Sequence, residues 1–146
     1  MAYLDRPFAR YKDRQRGDGI TKIKTIGRII LAVLFFAAGI NHFVNSEFYL
    51  RIMPPYLPGH LPLVLISGAA ESALGVGLLI PSLKKWAAWG LIALLIAVFP
   101  ANIHMAMHPE LFPEIPATAL WLRLPLQALL ILWASVYTRP EPIKTA

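Results

Sequence analysis

Apolar residues in this chain gather into four long runs, not into the short periodic stretches of a water-soluble fold. Between Arg28 and Glu47 lie 18 residues without a formal charge, Ile29 to Ser46. A helix crossing a hydrocarbon core of about 30 Å needs roughly 20 predominantly apolar residues. With the preceding residues 25–27 this run qualifies, giving a first span over about 25–45. Met53-Pro54-Pro55-Tyr56-Leu57-Pro58 then interrupts helical structure, because proline lacks the donor and clashes with the preceding turn. A second span follows over 62–80, carrying one charge, Glu71. Pro81 to Lys85 form a short turn, which makes spans two and three antiparallel neighbours. The third span, 86–107, has no Asp, Glu, Lys or Arg. A second proline-rich loop, with Pro109, Pro113 and Pro116, leads into the fourth span over 117–137. The expected fold is all-α: a transmembrane four-helix bundle over residues 25–137. A basic arm, 1–24, precedes it and a short tail, 138–146, follows. Pro7, Gly17 and Gly19 predict that the arm holds at most a short interfacial helix.

Composition supports the bundle. Of 146 residues, 57% are hydrophobic and only 15% charged, with a mean hydropathy of +0.56. Soluble domains carry about 25% charged residues, and a chain this short cannot bury so much apolar surface by itself. The chain has no cysteine, which excludes disulfides, thiolate metal sites and thiol redox chemistry. The first apolar run is long enough to span and no small-residue cleavage site follows it, so it reads as a span and not as a cleaved signal.

The net charge of +6 would suggest nucleic acid in a soluble protein. Its placement says otherwise. Eleven Lys and Arg lie in the arm, the 81–85 turn and the tail, against Arg51 alone in the two proline-rich loops. Positive charge is retained on the cytoplasmic side, so both termini are expected to be cytoplasmic and nucleic acid is not an expected partner. The arm then sets topology and attracts anionic lipid. Short loops and strong charge bias suit a bacterial inner membrane.

That topology turns scattered polar residues into a depth map. At about 1.5 Å rise per residue, His42, Glu71, Asn102, His104, Arg123 and Gln127 all fall in the outer half of the bilayer. A charge at a span centre costs about 2.5–3.5 kcal/mol on insertion scales, so Glu71 and Arg123 should face inward and find partners. The depths predict a Glu71–Arg123 ion pair, or a network through His42, Asn102 or Gln127. Pro100 should kink the third span just below Asn102, freeing the Ile96 carbonyl, and Pro125 should kink the fourth, freeing the Trp121 carbonyl. Gly68, Ser72 and Gly75 form a stripe of small residues that permits close helix approach. Together these features predict a polar cavity open to the outer face. His104 and His108 have i, i+4 spacing, but Pro109 ends the helix and no zincin glutamate is present, so no metal site is expected.

Several segments carry a family resemblance. Gly39-Ile40-Asn41-His42-Phe43 resembles the Gly-x-x-His-Phe of DoxX-like membrane proteins. So do the Met53–Pro58 stretch, Ile66-Ser67-Gly68 with Glu71 and Gly75, Ile80-Pro81, and Phe99-Pro100-Ala101-Asn102-Ile103. The similarity covers about 27–137. It implies a four-helix membrane protein, with His42, Glu71 and Asn102 at recurrent polar positions but with no agreed catalytic role. Among DoxX-like proteins one is a subunit of a thiosulfate:quinone oxidoreductase, and others look like partners in detoxification or stress responses. The cysteine pairs of the related MauE and vitamin K epoxide reductase groups are missing here, so disulfide exchange does not carry over.

Two functional readings follow. In the first, the polar site binds a quinone or similar small amphiphile as part of a redox or detoxification system. Phe35, Phe36, Phe43 and Leu74 would wall it, and His42, Glu71 and Arg123 are the candidate catalytic groups. No flavin, haem or nucleotide motif is visible, so the chain brings no cofactor and electrons come from a redox partner. In the second, the polar cluster is structural and the chain is a non-catalytic membrane partner or assembly factor. Whether the chain is an enzyme, and whether it forms an oligomer, stays open between them. A transporter fits less well, because four spans without an inverted repeat leave little room for alternating access.

Overall fold

The computed structural model describes residues 6–139, with side chains from residue 19 onward. Five α-helices appear in the order α1 (Arg6–Val44), α2 (Ser46–Ile52), α3 (His60–Leu79), α4 (Lys84–Met107) and α5 (Ala117–Ser135), with a 3-10 turn at Pro109–Leu111. Four segments are long and apolar enough to cross a membrane: Gly19–Val44, His60–Leu79, Lys84–Met107 and Ala117–Ser135. Each lies within a few residues of its expected span, except that the first begins earlier.

The arm differs from expectation. Its backbone is helical from Arg6 and continues into the first span. Pro7 falls in the first turn, where its missing N–H has no helical partner to lose. Gly17 and Gly19 cost about 1 kcal/mol each relative to alanine, too little to break a helix continued by a long apolar run. A second difference follows α1. Instead of open loop, residues 46–52 form α2, which folds back over one end of the bundle. Pro54 then bars further helix. Gly59 turns the chain into α3 with φ of 66°, a left-handed conformation that favours glycine.

The tightest helix contact is α1 against α3. A Cβ built on Gly39 would lie 2.5 Å from the Gly68 carbonyl oxygen and 2.6 Å from the Ser72 nitrogen. One built on Gly75 would lie 2.9 Å from both the Ala32 oxygen and the Phe36 nitrogen. The Gly68–Ser72–Gly75 stripe therefore lets the two backbones touch, as the spacing predicts. The helices follow one another as α1, α3, α4 and α5. At the end bearing the chain termini, the Tyr137 hydroxyl donates to the Lys24 carbonyl at 3.1 Å, and Trp133 and Tyr137 lie over Gly27. α1 and α5 meet here through these side chains, and little of their backbone comes close.

The interior is layered. Toward the terminal end, Leu31, Ala32, Phe35, Leu78, Ala88, Leu91, Leu95 and Ala134 form one buried apolar cluster. Toward the opposite end, Ile52, Met105, Phe112 and Leu120 form a second, with Phe48, Tyr49, Ala101 and Ile115 packed on it. Along α1, α3, α4 and α5 the buried or half-buried polar residues fall between the positions of these clusters or at their margin. Outside, Val33, Leu34, Ile66, Ile96, Leu122, Leu129 and Leu132 are exposed. Such a continuous apolar surface would aggregate in water and is matched to lipid.

Candidate functional site

His42 organises the polar belt. Its Cβ packs on Gly68, so the glycine brings the imidazole against α3. There Nδ1 lies 3.0 Å from the Val64 carbonyl oxygen and 3.2 Å from Ser67 Oγ. The Ser67 hydroxyl donates to the same carbonyl at 2.9 Å. A carbonyl oxygen only accepts, so Nδ1 carries a proton. The other nitrogen, Nε2, is 3.2 Å from Glu71 Oε2, off the axis of a well-directed hydrogen bond. Side-chain exposures of 11% and 15% for His42 and Glu71 keep the pair largely from solvent. With Nδ1 protonated, a neutral ring would turn the Nε2 lone pair toward a carboxylate. The contact is attractive only if one proton lies between them, as imidazolium with carboxylate or as imidazole with carboxylic acid. Either form is neutral overall, which suits an apolar setting.

Tyr49 covers the His42 ring. Its ring stacks on His42 with centroids 3.7 Å apart and planes at 28°. The Asn41 amide donates to the Tyr49 hydroxyl at 3.0 Å, and the Asn45 amide donates to Asn41 Oδ1. Tyr49 is not among the residues singled out from sequence. The missed signal is the apolar spacing Phe48, Tyr49, Ile52 after Asn45, a short amphipathic helix among prolines. Arg51 ties α2 to the second loop, donating to the Leu111 carbonyl at 3.2 Å and to Glu114 Oε1 at 2.8 Å. Its guanidinium also lies over the rings of Phe48 and Phe112, at 5.6 and 5.4 Å. The Glu114 carboxyl is held below its ordinary value of 4.5, first by its own backbone N–H and then by Arg51.

A second polar pair joins α4 to α5. The Asn102 amide donates to Gln127 Oε1 at 3.0 Å, and the Gln127 amide donates to the Leu95 carbonyl. Gln127 is only 3% exposed. These bonds sit beside Pro100, which removes the donor that would serve Ile96. Both α4 and α5 run through their prolines without interruption.

Several expectations need correction. Glu71 pairs with His42, not Arg123, and among the described residues Arg123 makes no hydrogen bond or ion pair. Equal depth did not suffice, since α3 turns Glu71 toward α1. Two surface concavities lie on the wall of α5, lined by Ala117, Thr118, Trp121, Leu122 and Pro125, and at the α1–α2 corner, lined by Val44 to Phe48 and Arg51. Folding back of α2 places Tyr49 against His42. Of the suggested apolar walls, Phe35 is buried in the terminal-end core, whereas Phe36 and Phe43 are exposed at 45% and 48%. They lie one residue beyond Phe35 and His42, about 100° round the helix.

His104 and His108 do approach each other, with ring centroids 4.5 Å apart, and His108 Nδ1 donates to Glu110 Oε1 at 2.8 Å. His104 Nδ1 is buried without a partner. Among the described residues no group of three or more His, Cys, Asp or Glu is placed to hold a metal ion.

Comparison with curated proteins and with solved structures gives no match. Residues 31–138 match a family model described as a domain of unknown function, DUF8561. This stretch contains the polar belt and both apolar clusters, and through it the chain belongs to the DUF8561 family.

Proposed function

We propose that this chain is a DoxX-like multi-pass protein of a bacterial inner membrane, with both termini cytoplasmic and the α2 cap outside. Its His42–Glu71 pair binds the polar head of a quinone or similar small amphiphile within a redox or detoxification system. One observation carries this reading: Glu71 Oε2 is buried, beside His42, and has no directed hydrogen bond. Buried polar atoms in native structures are nearly always satisfied, and an intramembrane carboxylate marks a functional position by default. A quinol hydroxyl entering beside Nε2 would donate to Oε2, and the corresponding quinone oxygen, which only accepts, would take the proton the pair shares. The electrons, and the further proton that full reduction needs, would come from a redox partner and the outer aqueous phase. Tyr49 must move aside for this.

The structural reading also has support, because both faces of its case rest on His42: Nδ1 is fixed by Val64 and the ring by Tyr49. On that reading the chain is a membrane partner or assembly factor, and the pair sets the α1–α3 register.

The two separate in one experiment. Purified protein in nanodiscs is titrated with ubiquinone-1, following quenching of its tryptophans. The binding reading expects saturable quenching, weakened about tenfold or more by Glu71→Gln, with little change in thermal stability. No saturable binding, together with a clear loss of stability in Glu71→Gln, supports the structural reading and ends the first.

A further inference from the structure

Arg123 lies within a membrane-spanning helix yet has no counter-charge among the described residues. Its position on α5 is fixed by its neighbours. Leu120, three residues before it, is fully buried, and Gln127, four residues after it, is 3% exposed. Residues at these spacings share a face, so Arg123 stands at the margin of the buried stripe and is itself half-buried. The Asn102–Gln127 bond sets the register of α4 on α5. One turn outward from it, Arg123 comes level with Met105 and Ala106 of α4, both buried.

The charges of the belt do not cancel. The His42–Glu71 pair is neutral, Asn102 and Gln127 are neutral, and Arg123 adds one positive charge. A lone guanidinium in a span is costly, and five N–H donors aimed from one planar group are suited to an oxyanion. Tyr137 on Lys24 and Trp133 on Gly27 join the two ends of the chain's spans at the terminal end. At the cap end, α5 packs on α4 and, through Leu120, on the Ile52–Phe112 cluster, and its backbone makes little close contact with α1.

We infer that Arg123 is the receptor for an anionic oxygen headgroup borne on an apolar tail, taken laterally from the outer leaflet. The inference goes beyond the quinone reading above, adding a second, anionic amphiphile at a separate site, and shares with that reading only the membrane topology. The headgroup chemistry is shared by a fatty-acid carboxylate and an anionic lipid phosphate.

The test uses the full chain in phosphatidylcholine nanodiscs, with two probes followed by native mass spectrometry: oleate, and phosphatidylglycerol mixed into the disc. Mono-olein serves as the neutral control. Wild-type protein should retain one or both anions in preference to mono-olein, and Arg123→Gln should weaken that retention about tenfold or more. Arg123→Lys keeps the charge without the fork and should fall between them. It also guards against a misfolded glutamine variant, which a thermal melt identifies. Loss of oleate alone assigns a carboxylate, and loss of phosphatidylglycerol alone assigns a lipid phosphate. Equal retention of anions by wild type and a folded Arg123→Gln, or equal retention of mono-olein, overturns the inference and leaves Arg123 snorkelling to the interface. Glu71→Gln run in parallel keeps the readings apart. If it loses ubiquinone-1 but keeps the anion, this site stands on its own; if wild type binds the anion but never the quinone, only the quinone reading fails.

Discussion

Replacing Gly39 with alanine tests the contact that builds the site. The new Cβ would meet the Gly68 oxygen at 2.5 Å and the Ser72 nitrogen at 2.6 Å, where ordinary contacts run from 3.4 to 4 Å. Both obstacles are backbone atoms of α3, so neither can swing away. The helices must part by about 1 Å, a gap that forfeits a quarter to a half of each local dispersion contact. Overpacking of this kind costs about 1–3 kcal/mol, and the helix-propensity gain of alanine returns at most about 1 kcal/mol. Parting by that amount would also stretch the 3.2 Å His42–Glu71 contact beyond ion-pair range. Thermal unfolding in mild detergent, followed by tryptophan fluorescence, should show Gly39→Ala melting below wild type. The control is Gly19→Ala, where nothing lies within 4 Å of the added carbon and stability should hold or rise slightly. If Gly39→Ala melts with wild type while retaining ubiquinone-1 binding, the claim that backbone contact positions the site is refuted.

Three further outcomes follow from the cap. The single-cysteine variant Phe48→Cys, made in this cysteine-free chain, should react faster with maleimide when Arg51→Ala is added, because the bonds to Leu111 and Glu114 are lost together; unchanged labelling would show that Arg51 does not hold α2. The Glu114 carboxyl, lowered in the folded chain, adds stability that is fully present above its ordinary value and lost as pH falls through the lowered one. The labelling difference between Glu114 and Glu114→Gln backgrounds should therefore be present at neutral pH and vanish in acid; a difference that grows in acid reverses the sign and contradicts the assignment. Tyr49→Ala removes a stacked ring worth about 0.5–1.5 kcal/mol and uncovers the His42 ring, so it should lower the melting temperature while raising the association rate of ubiquinone-1. A slower rate would mean that Tyr49 forms part of the binding surface instead of covering it.

The spans were legible because membrane crossing demands long uninterrupted apolar runs, a constraint stronger than any local propensity. The Gly68–Ser72–Gly75 stripe was legible for a related reason: close backbone packing leaves only small residues at one helical spacing. What the sequence hid depends on rotation about helix axes. Depth along the span put Glu71 and Arg123 near each other, but the α1–α3 contact turns Glu71 to His42. α2 was hidden because seven residues between two loop signals carry too little periodicity, and its fold-back is held by Arg51 reaching a loop sixty residues away. The helical arm escaped because Gly17 and Gly19 are weak breakers beside a strong apolar helix.

The central claim is that His42 is held in one protonation geometry, Nδ1–H on the Val64 carbonyl and Nε2 on Glu71. Nitrogen-15 NMR of histidine-labelled protein in lipid bilayers measures this directly, with His42 assigned by its loss in His42→Gln. The structure predicts a protonated Nδ1, and an Nε2 signal that moves in Glu71→Gln. An unprotonated Nδ1, or an Nε2 signal indifferent to that substitution, would contradict the account.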